Sequence, residues 1–115
     1  MAFAMLTRYP GANIDRFDDA IAACNLDADP PIGQILHAVV QTPDGIETWD
    51  LWQTEETARA FAEQRLAPAL RDAGLDGDPE IRVYALHNLF APDMDTLGRI
   101  GAFSLPPSRA GATFY

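Results

Sequence analysis

Residues 33–56 read Gly33-Gln34-Ile35-Leu36-His37-Ala38-Val39-Val40-Gln41-Thr42-Pro43-Asp44-Gly45-Ile46-Glu47-Thr48-Trp49-Asp50-Leu51-Trp52-Gln53-Thr54-Glu55-Glu56. They hold two strand-like runs, Gly33 to Thr42 and Ile46 to Gln53, joined through Pro43-Asp44-Gly45. Asp-Gly between two such runs is the strongest short hairpin signal. A two-residue Asp44-Gly45 turn places Pro43 opposite Ile46, Gln41 opposite Thr48, Val39 opposite Asp50 and His37 opposite Trp52. Side chains alternate with period two, so the two faces separate. Leu36, Ala38, Val40, Trp49 and Leu51 make an apolar face, expected under helices. His37, Val39, Gln41, Thr48, Asp50 and Trp52 make a mixed face, neither a solvated surface nor a dry core.

Outward from the hairpin, Phe3 to Tyr9 reads as a first strand, ended by Pro10-Gly11. Asn13 then caps a helix whose apolar positions Ile14, Phe17, Ile21 and Cys24 recur at helical spacing, with Asp15 at the positive N-terminal end. Cys24 lies on that stripe and reads as a small core residue, the alternative being a reactive thiol. After the hairpin, Thr54 caps a second helix with Glu55 and Glu56 in its first turn. Ala58, Phe61, Ala62, Leu66, Ala69, Leu70 and Ala73 form its apolar stripe. Pro68 interrupts it, predicting a kink or break near Arg65 to Ala67, and Gly74 is the expected stop. Glu80 to Asn88 reads as a fourth strand. The order β-α-β-β-α-β is the split βαβ, or ferredoxin-like, arrangement: an α+β fold with a four-stranded antiparallel sheet. It assigns residues 1–90 to one ferredoxin-like domain and 91–115 to a C-terminal extension.

Composition sets the class of partner. The chain has 115 residues, 48% of them hydrophobic, which suits one modest core and excludes disorder. Its net charge of −9 repels phosphate backbones and anionic membranes, so neither nucleic acid nor membrane is an expected partner. The same acidity also serves solubility. A single cysteine rules out an intrachain disulfide. The N-terminal run Met1 to Leu6 is short and lacks a basic flank, unlike a signal peptide, and no stretch approaches the ~20 apolar residues of a membrane span. The expected location is the cytoplasm.

A ferredoxin-like sheet carries helices on one side only, so its other side must meet solvent, a partner or a cavity. With the mixed face placed there, Trp52, Val39, Met5 and Tyr9 would leave a sizeable exposed apolar patch on a monomer. Pairing of two copies face to face covers it and encloses a pocket. On these grounds the sequence resembles the dimeric α+β barrel superfamily, and within it the antibiotic-biosynthesis-monooxygenase-like group. The resemblance is carried by the element order over residues 3–90 and by Trp49-Asp50-Leu51-Trp52-Gln53-Thr54-Glu55-Glu56, where a tryptophan ends a strand just before an acidic, capped helix carrying Phe61. It implies a homodimer with a small-molecule ligand, Trp52 as a pocket wall, and activities that include cofactor-free oxygenases on polyketide-like phenols, haem degradation and small-molecule cyclisation, as in secondary metabolism. Haem degradation requires a first-strand Asn and a second-helix His. Met5 occupies that strand position and residues 54–73 contain no His. The quinone-forming oxygenases also use a first-strand Asn, again where this chain has Met5.

The candidate chemistry lies on the mixed face. His37 is the expected general base, with Asp50 diagonal to it as orienter. Such a base would take a proton from a phenol or from a carbon next to a carbonyl. The competing role is a histidine that only satisfies a polar partner or lines an interface. Asp50 needs a partner or ligand, because unpaired burial is costly. Trp52 is the expected stacking wall, and Tyr9, Thr7 and Met5 share the first strand's pocket face. His87, at the end of the fourth strand, is a rim or interface candidate that should not meet His37, because strands two and four are opposite edges. Tyr84 is expected in the core. Two histidines, one cysteine and no clustered ligand spacing argue against a dedicated metal site, and no phosphate-binding loop, Gly-x-Ser-x-Gly or Cys-x-x-Cys occurs. The expectation is a small-molecule enzyme without metal or organic cofactor, monooxygenase-like or cyclase-like. The alternative is a non-catalytic ligand-binding or auxiliary homodimer.

In the extension, Pro92-Asp93 followed by Met94, Leu97 and Ile100 predicts a short helix capped by Asp93 and ended by Gly101. The remainder, through Phe103, Phe114 and Tyr115, reads as an arm on the partner subunit or a lid over the barrel mouth.

Overall fold

The computed structural model describes residues 1–75 and 77–100. Its elements run β1 (Phe3–Pro10), α1 (Ile14–Cys24), β2 (Gln34–Thr42), β3 (Gly45–Trp52), α2 (Glu55–Phe61), a π-helical turn (Ala62–Leu66), α3 (Ala67–Asp72), β4 (Glu80–Ala85) and α4 (Met94–Ile100). The four strands form one antiparallel sheet in the order β2-β3-β1-β4. This is the ferredoxin-like arrangement, with β2 and β4 at opposite edges.

Local chemistry sets the boundaries. The Asn13 side chain accepts from the Arg16 N–H at 3.1 Å, and α1 ends at Asn25 in the left-handed region. Thr54 accepts from the Thr57 N–H at 3.1 Å to start α2. The break foreseen at Pro68 takes the form of the π-helical turn just before α3, which ends before Gly74 at φ +84°. Asp93 starts α4, accepting from the Thr96 N–H at 3.0 Å. The expected stop at Gly101, and the arm or lid beyond it, lie outside the described residues. The fourth strand is shorter than its apolar run, ending at Ala85 rather than Asn88.

The hairpin register differs from the expected one by two residues. Thr42 pairs with Gly45, Val39 with Thr48 and His37 with Asp50. Pro43 and Asp44 therefore form the turn, and Gly45 is already in the strand. A Cβ at Gly45, whose φ is +151°, would collide with the Tyr9 carbonyl oxygen, and the Gly11 N–H donates to the Asp44 carbonyl at 2.6 Å. That close approach to β1 pulls Gly45 out of the turn. A two-residue shift keeps the parity, so the same residues share each face.

Which face meets the helices is the reverse of the expectation. Thr7, Tyr9, Ile46, Thr48, Asp50 and Trp52 are buried, whereas Trp49 is 50% exposed. Tyr9 packs on Phe17 of α1, with ring centroids 5.2 Å apart, and Trp52 on Phe61 of α2 at 5.7 Å. Leu36, Ala38, Val40, Trp49 and Leu51 thus lie on the open face with Leu6. Tyr84, expected in the core, is there too, opposite Ala4 and 54% exposed. Apolarity did not discriminate because both faces are rich in it. The helices cover the face whose aromatic rings, Tyr9 and Trp52, fill the depth beneath α1 and α2. The core runs from those rings through Phe17, Ala20, Ile21 and Cys24 to Leu26, Ala69 and Leu70.

Candidate functional site

The helix-side face of the sheet and the overlying α1, α2 and π-helical turn enclose a cavity of about 30 Å³, room for about two waters. Met5, Thr7 and Tyr9 enter it from β1, Gln34 and His37 from β2, and Thr48, Asp50 and Trp52 from β3. Phe17, Phe61 and Leu66 close it from the helix side. Six of the seven residues singled out from sequence therefore converge on one space, but inside a protomer, under its own helices, rather than between paired sheets. The seventh, His87, lies past the end of β4, exposed, and does not line the cavity.

At the polar end, His37 Nδ1 stands 2.5 Å from Asp50 Oδ1. Direct cross-strand pairing, not the diagonal expected earlier, makes this contact possible. Asp50 is 8% exposed, and the Gln34 amide donates to the same oxygen at 3.3 Å. A carboxylate only accepts, so a neutral His37 donates from Nδ1 and its basic lone pair sits on Nε2. Burial first, and then the negative charges of Asp50 and Cys24, push the Tyr9 pKa well above the usual phenol value. Tyr9 therefore stays a neutral hydroxyl next to the carboxylate. Trp52, 2% exposed, has its indole N–H buried with no hydrogen-bond partner among the described residues. That is an unused donor on the wall of the cavity.

Sequence reasoning missed Gln34 and gave Thr48 no role. Gln34 and His37 are three residues apart and would face opposite ways in a regular strand. A register shift between Gln34 and Leu36 leaves Ile35 out of the ladder and turns Gln34 to His37's side. No local motif announces such a bulge. Thr48 was legible, since it belongs to the mixed face of β3 by simple alternation.

The roof is tied down separately. Arg65, in the π-helical turn, donates from Nη2 to the carbonyls of Cys24 (2.5 Å) and Asp29 (2.7 Å), and its guanidinium lies 5.3 Å from the Phe61 ring centroid. Cys24 is buried as expected, and burial pushes its thiol pKa up, with Arg65 acting in the other direction. Among the described residues no group of three or more His, Cys, Asp or Glu could hold a metal ion, and no helix is long and apolar enough to cross a membrane.

No protein-family model matches the chain, and no curated protein does. Solved structures do. A protein of unknown function from Nitrosomonas europaea aligns with a TM-score of 0.60 at 18% identity, over 79% of this chain and 94% of its own. A Streptomyces coelicolor monooxygenase solved with nanaomycin D aligns at 0.51 and 17% identity, over 79% and 91%. SnoaB, a cofactor-independent oxygenase from Streptomyces nogalater, aligns at 0.53 and 12% identity, over 76% and 93%. At these identities the matches show the fold alone, the ferredoxin-like α+β arrangement that this chain shares with those structures.

Proposed function

We propose that this chain is a homodimeric, cofactor-free enzyme that deprotonates a small aromatic or polyketide-like molecule in the cavity beneath its helices, with monooxygenase-like or cyclase-like outcome. The observation that carries this reading is the buried His37–Asp50 pair, at 2.5 Å, on the same cavity wall as the unused Trp52 donor. His37 Nε2 would accept the proton, Asp50 would hold Nδ1–H and balance the imidazolium, and the Trp52 N–H would take the charge that develops on the substrate oxygen. Thr7, Tyr9 and Met5 would shape the rest of the wall. In a cyclase the carbanion adds to a second carbonyl of the same molecule, and the alkoxide recovers the proton from His37. In an oxygenase molecular oxygen is the oxidant, so that a ring CH₂ plus O₂ becomes C=O plus water. Two neighbours of this fold described as oxygenases support the reaction class, and one of them, described as cofactor-independent, supports a reaction without a cofactor.

The homodimer is supported by the open face, where half-exposed Trp49 and Tyr84 flank Leu6 and Leu51. A second copy would cover that patch. The test is oxygen uptake and product formation across anthrone-type and naphthol-type phenols and β-keto esters. For any substrate turned over, His37→Ala should lower kcat at least a hundredfold and Asp50→Asn at least tenfold. Unchanged turnover in a folded His37→Ala protein refutes the base.

The cavity's size favours a second reading. At about 30 Å³ it is far below the ~300–1,000 Å³ usual for small-molecule sites, so a ligand must first displace the roof. A non-catalytic ligand-binding role would show as saturable binding without turnover of any of these compounds.

A further inference from the structure

The cavity wall has a one-sided charge. Its ionisable groups are Asp50, His37 and Tyr9, and among the described residues no arginine lines it. The chain has no lysine at all; its eight basic residues are all arginines. Arg65 comes nearest by position, between Ala62 and Leu66 of the lining, yet its guanidinium is turned to the Cys24 and Asp29 carbonyls and stacked on Phe61. Tyr9 stays neutral. His37 is already paired with Asp50, so with the carboxyl ionised the pair carries a charge of −1 or 0 and offers no net cation. A carboxylate brought into this space would lose its water, gain no cation and sit near a buried carboxylate.

We propose that the cavity selects uncharged aromatic ligands, as phenol, lactone or ester, and rejects the corresponding free carboxylic acids. The inference rests on the ligand-binding cavity proposed above and adds the substrate class. It places the protein after, rather than before, any step that esterifies, lactonises or decarboxylates such an acid. Apart from Gln34, His37, Asp50, the Trp52 N–H and the hydroxyls, the lining is apolar, which suits an aromatic ligand.

The experiment is calorimetric titration of the full chain at pH 7 with three probes: 2-naphthol, methyl 3-hydroxy-2-naphthoate and 3-hydroxy-2-naphthoate. The ester and acid share a skeleton and nearly a size, so their difference reports charge. The ester should bind at least tenfold more tightly than the acid. In Asp50→Asn, shown to be folded by its thermal transition, the ester-to-acid ratio should fall severalfold as the negative wall is removed. An acid that binds as well as the ester overturns the inference while leaving a ligand cavity in place. A ratio unchanged in folded Asp50→Asn overturns the assignment of selectivity to this wall. Binding of none of the three removes the cavity reading itself, and the inference with it.

Discussion

Replacing Trp52 by Phe separates what the indole ring does for the fold from what its N–H does for a ligand. Trp52 is 2% exposed and packs on Phe61. Phe buries about 40 Å² less surface, a loss of about 1 kcal/mol at ~25 cal/mol per Å². The residual space adds about 1 kcal/mol where neighbours do not collapse into it. Against this, the substitution deletes a buried donor with no partner among the described residues, a group whose desolvation costs about 1–3 kcal/mol. The expected net change is therefore within about 1 kcal/mol of zero, whereas Trp52→Ala should lose about 3–5 kcal/mol. Urea unfolding followed by far-UV circular dichroism, at one protein concentration, measures both without relying on tryptophan emission. The Phe variant should also bind 2-naphthol more weakly than wild type, because the donor for the ligand oxygen is gone. A Trp52→Phe protein that loses more than about 2 kcal/mol would refute the reasoning, since it would mean that the N–H is paired within the protein.

Further outcomes follow from the same geometry. Tyr9 titrates higher in the fold than in the unfolded chain, so its contribution to stability is complete below the unfolded phenol pKa of ~10 and is lost as pH rises above it. Melting curves between pH 8 and 11 should fall more steeply for wild type than for Tyr9→Phe; parallel curves would contradict this. Trp49→Glu, on the open face, should convert the proposed homodimer to a monomer in light-scattering chromatography while circular dichroism stays unchanged; a wild type that already elutes as a monomer would contradict the pairing. Gly45→Ala should cost more than about 2 kcal/mol, because its Cβ meets the Tyr9 carbonyl oxygen, and urea unfolding reads the loss. Arg65→Ala should speed amide hydrogen exchange across residues 61–66, with the β1 and β3 amides unaffected.

Element order, both helix caps, the break before Pro68 and the Gly74 stop were legible because each depends on chemistry within a few residues. The grouping of His37, Asp50 and Trp52 on one face was legible for the same reason, being a matter of parity. The side of the sheet taken by the helices was not. Both faces carry rings, Tyr9 and Trp52 on one and Trp49 and Tyr84 on the other, so the sides are told apart only by the partners the helices bring, Phe17 of α1 to Tyr9 and Phe61 of α2 to Trp52. The exact register was hidden as well, because Gly45 is held by β1, a strand far from it in sequence. The Ile35 bulge, and with it Gln34's contact to Asp50, has no signature a single sequence could supply.

The π-helical turn at Ala62–Leu66 sets the phase between two halves of one long helix. Phe61 and Ala62 look down at the cavity, whereas Ala69 and Leu70 are buried in the core that α3 shares with α1. A regular helix turns ~100° per residue, so the wider turn decides whether both stripes can point inward at once. A π turn holds about one residue more than an α turn, so losing a single residue here would let the segment close as regular α-helix with Ala69 and Leu70 near their present phase, whereas regularising it at full length would rotate them by about that angle, away from their core neighbours. The segment thus works as a phase adjuster: its length, more than the identity of any side chain in it, keeps the cavity roof and the α1–α3 core compatible.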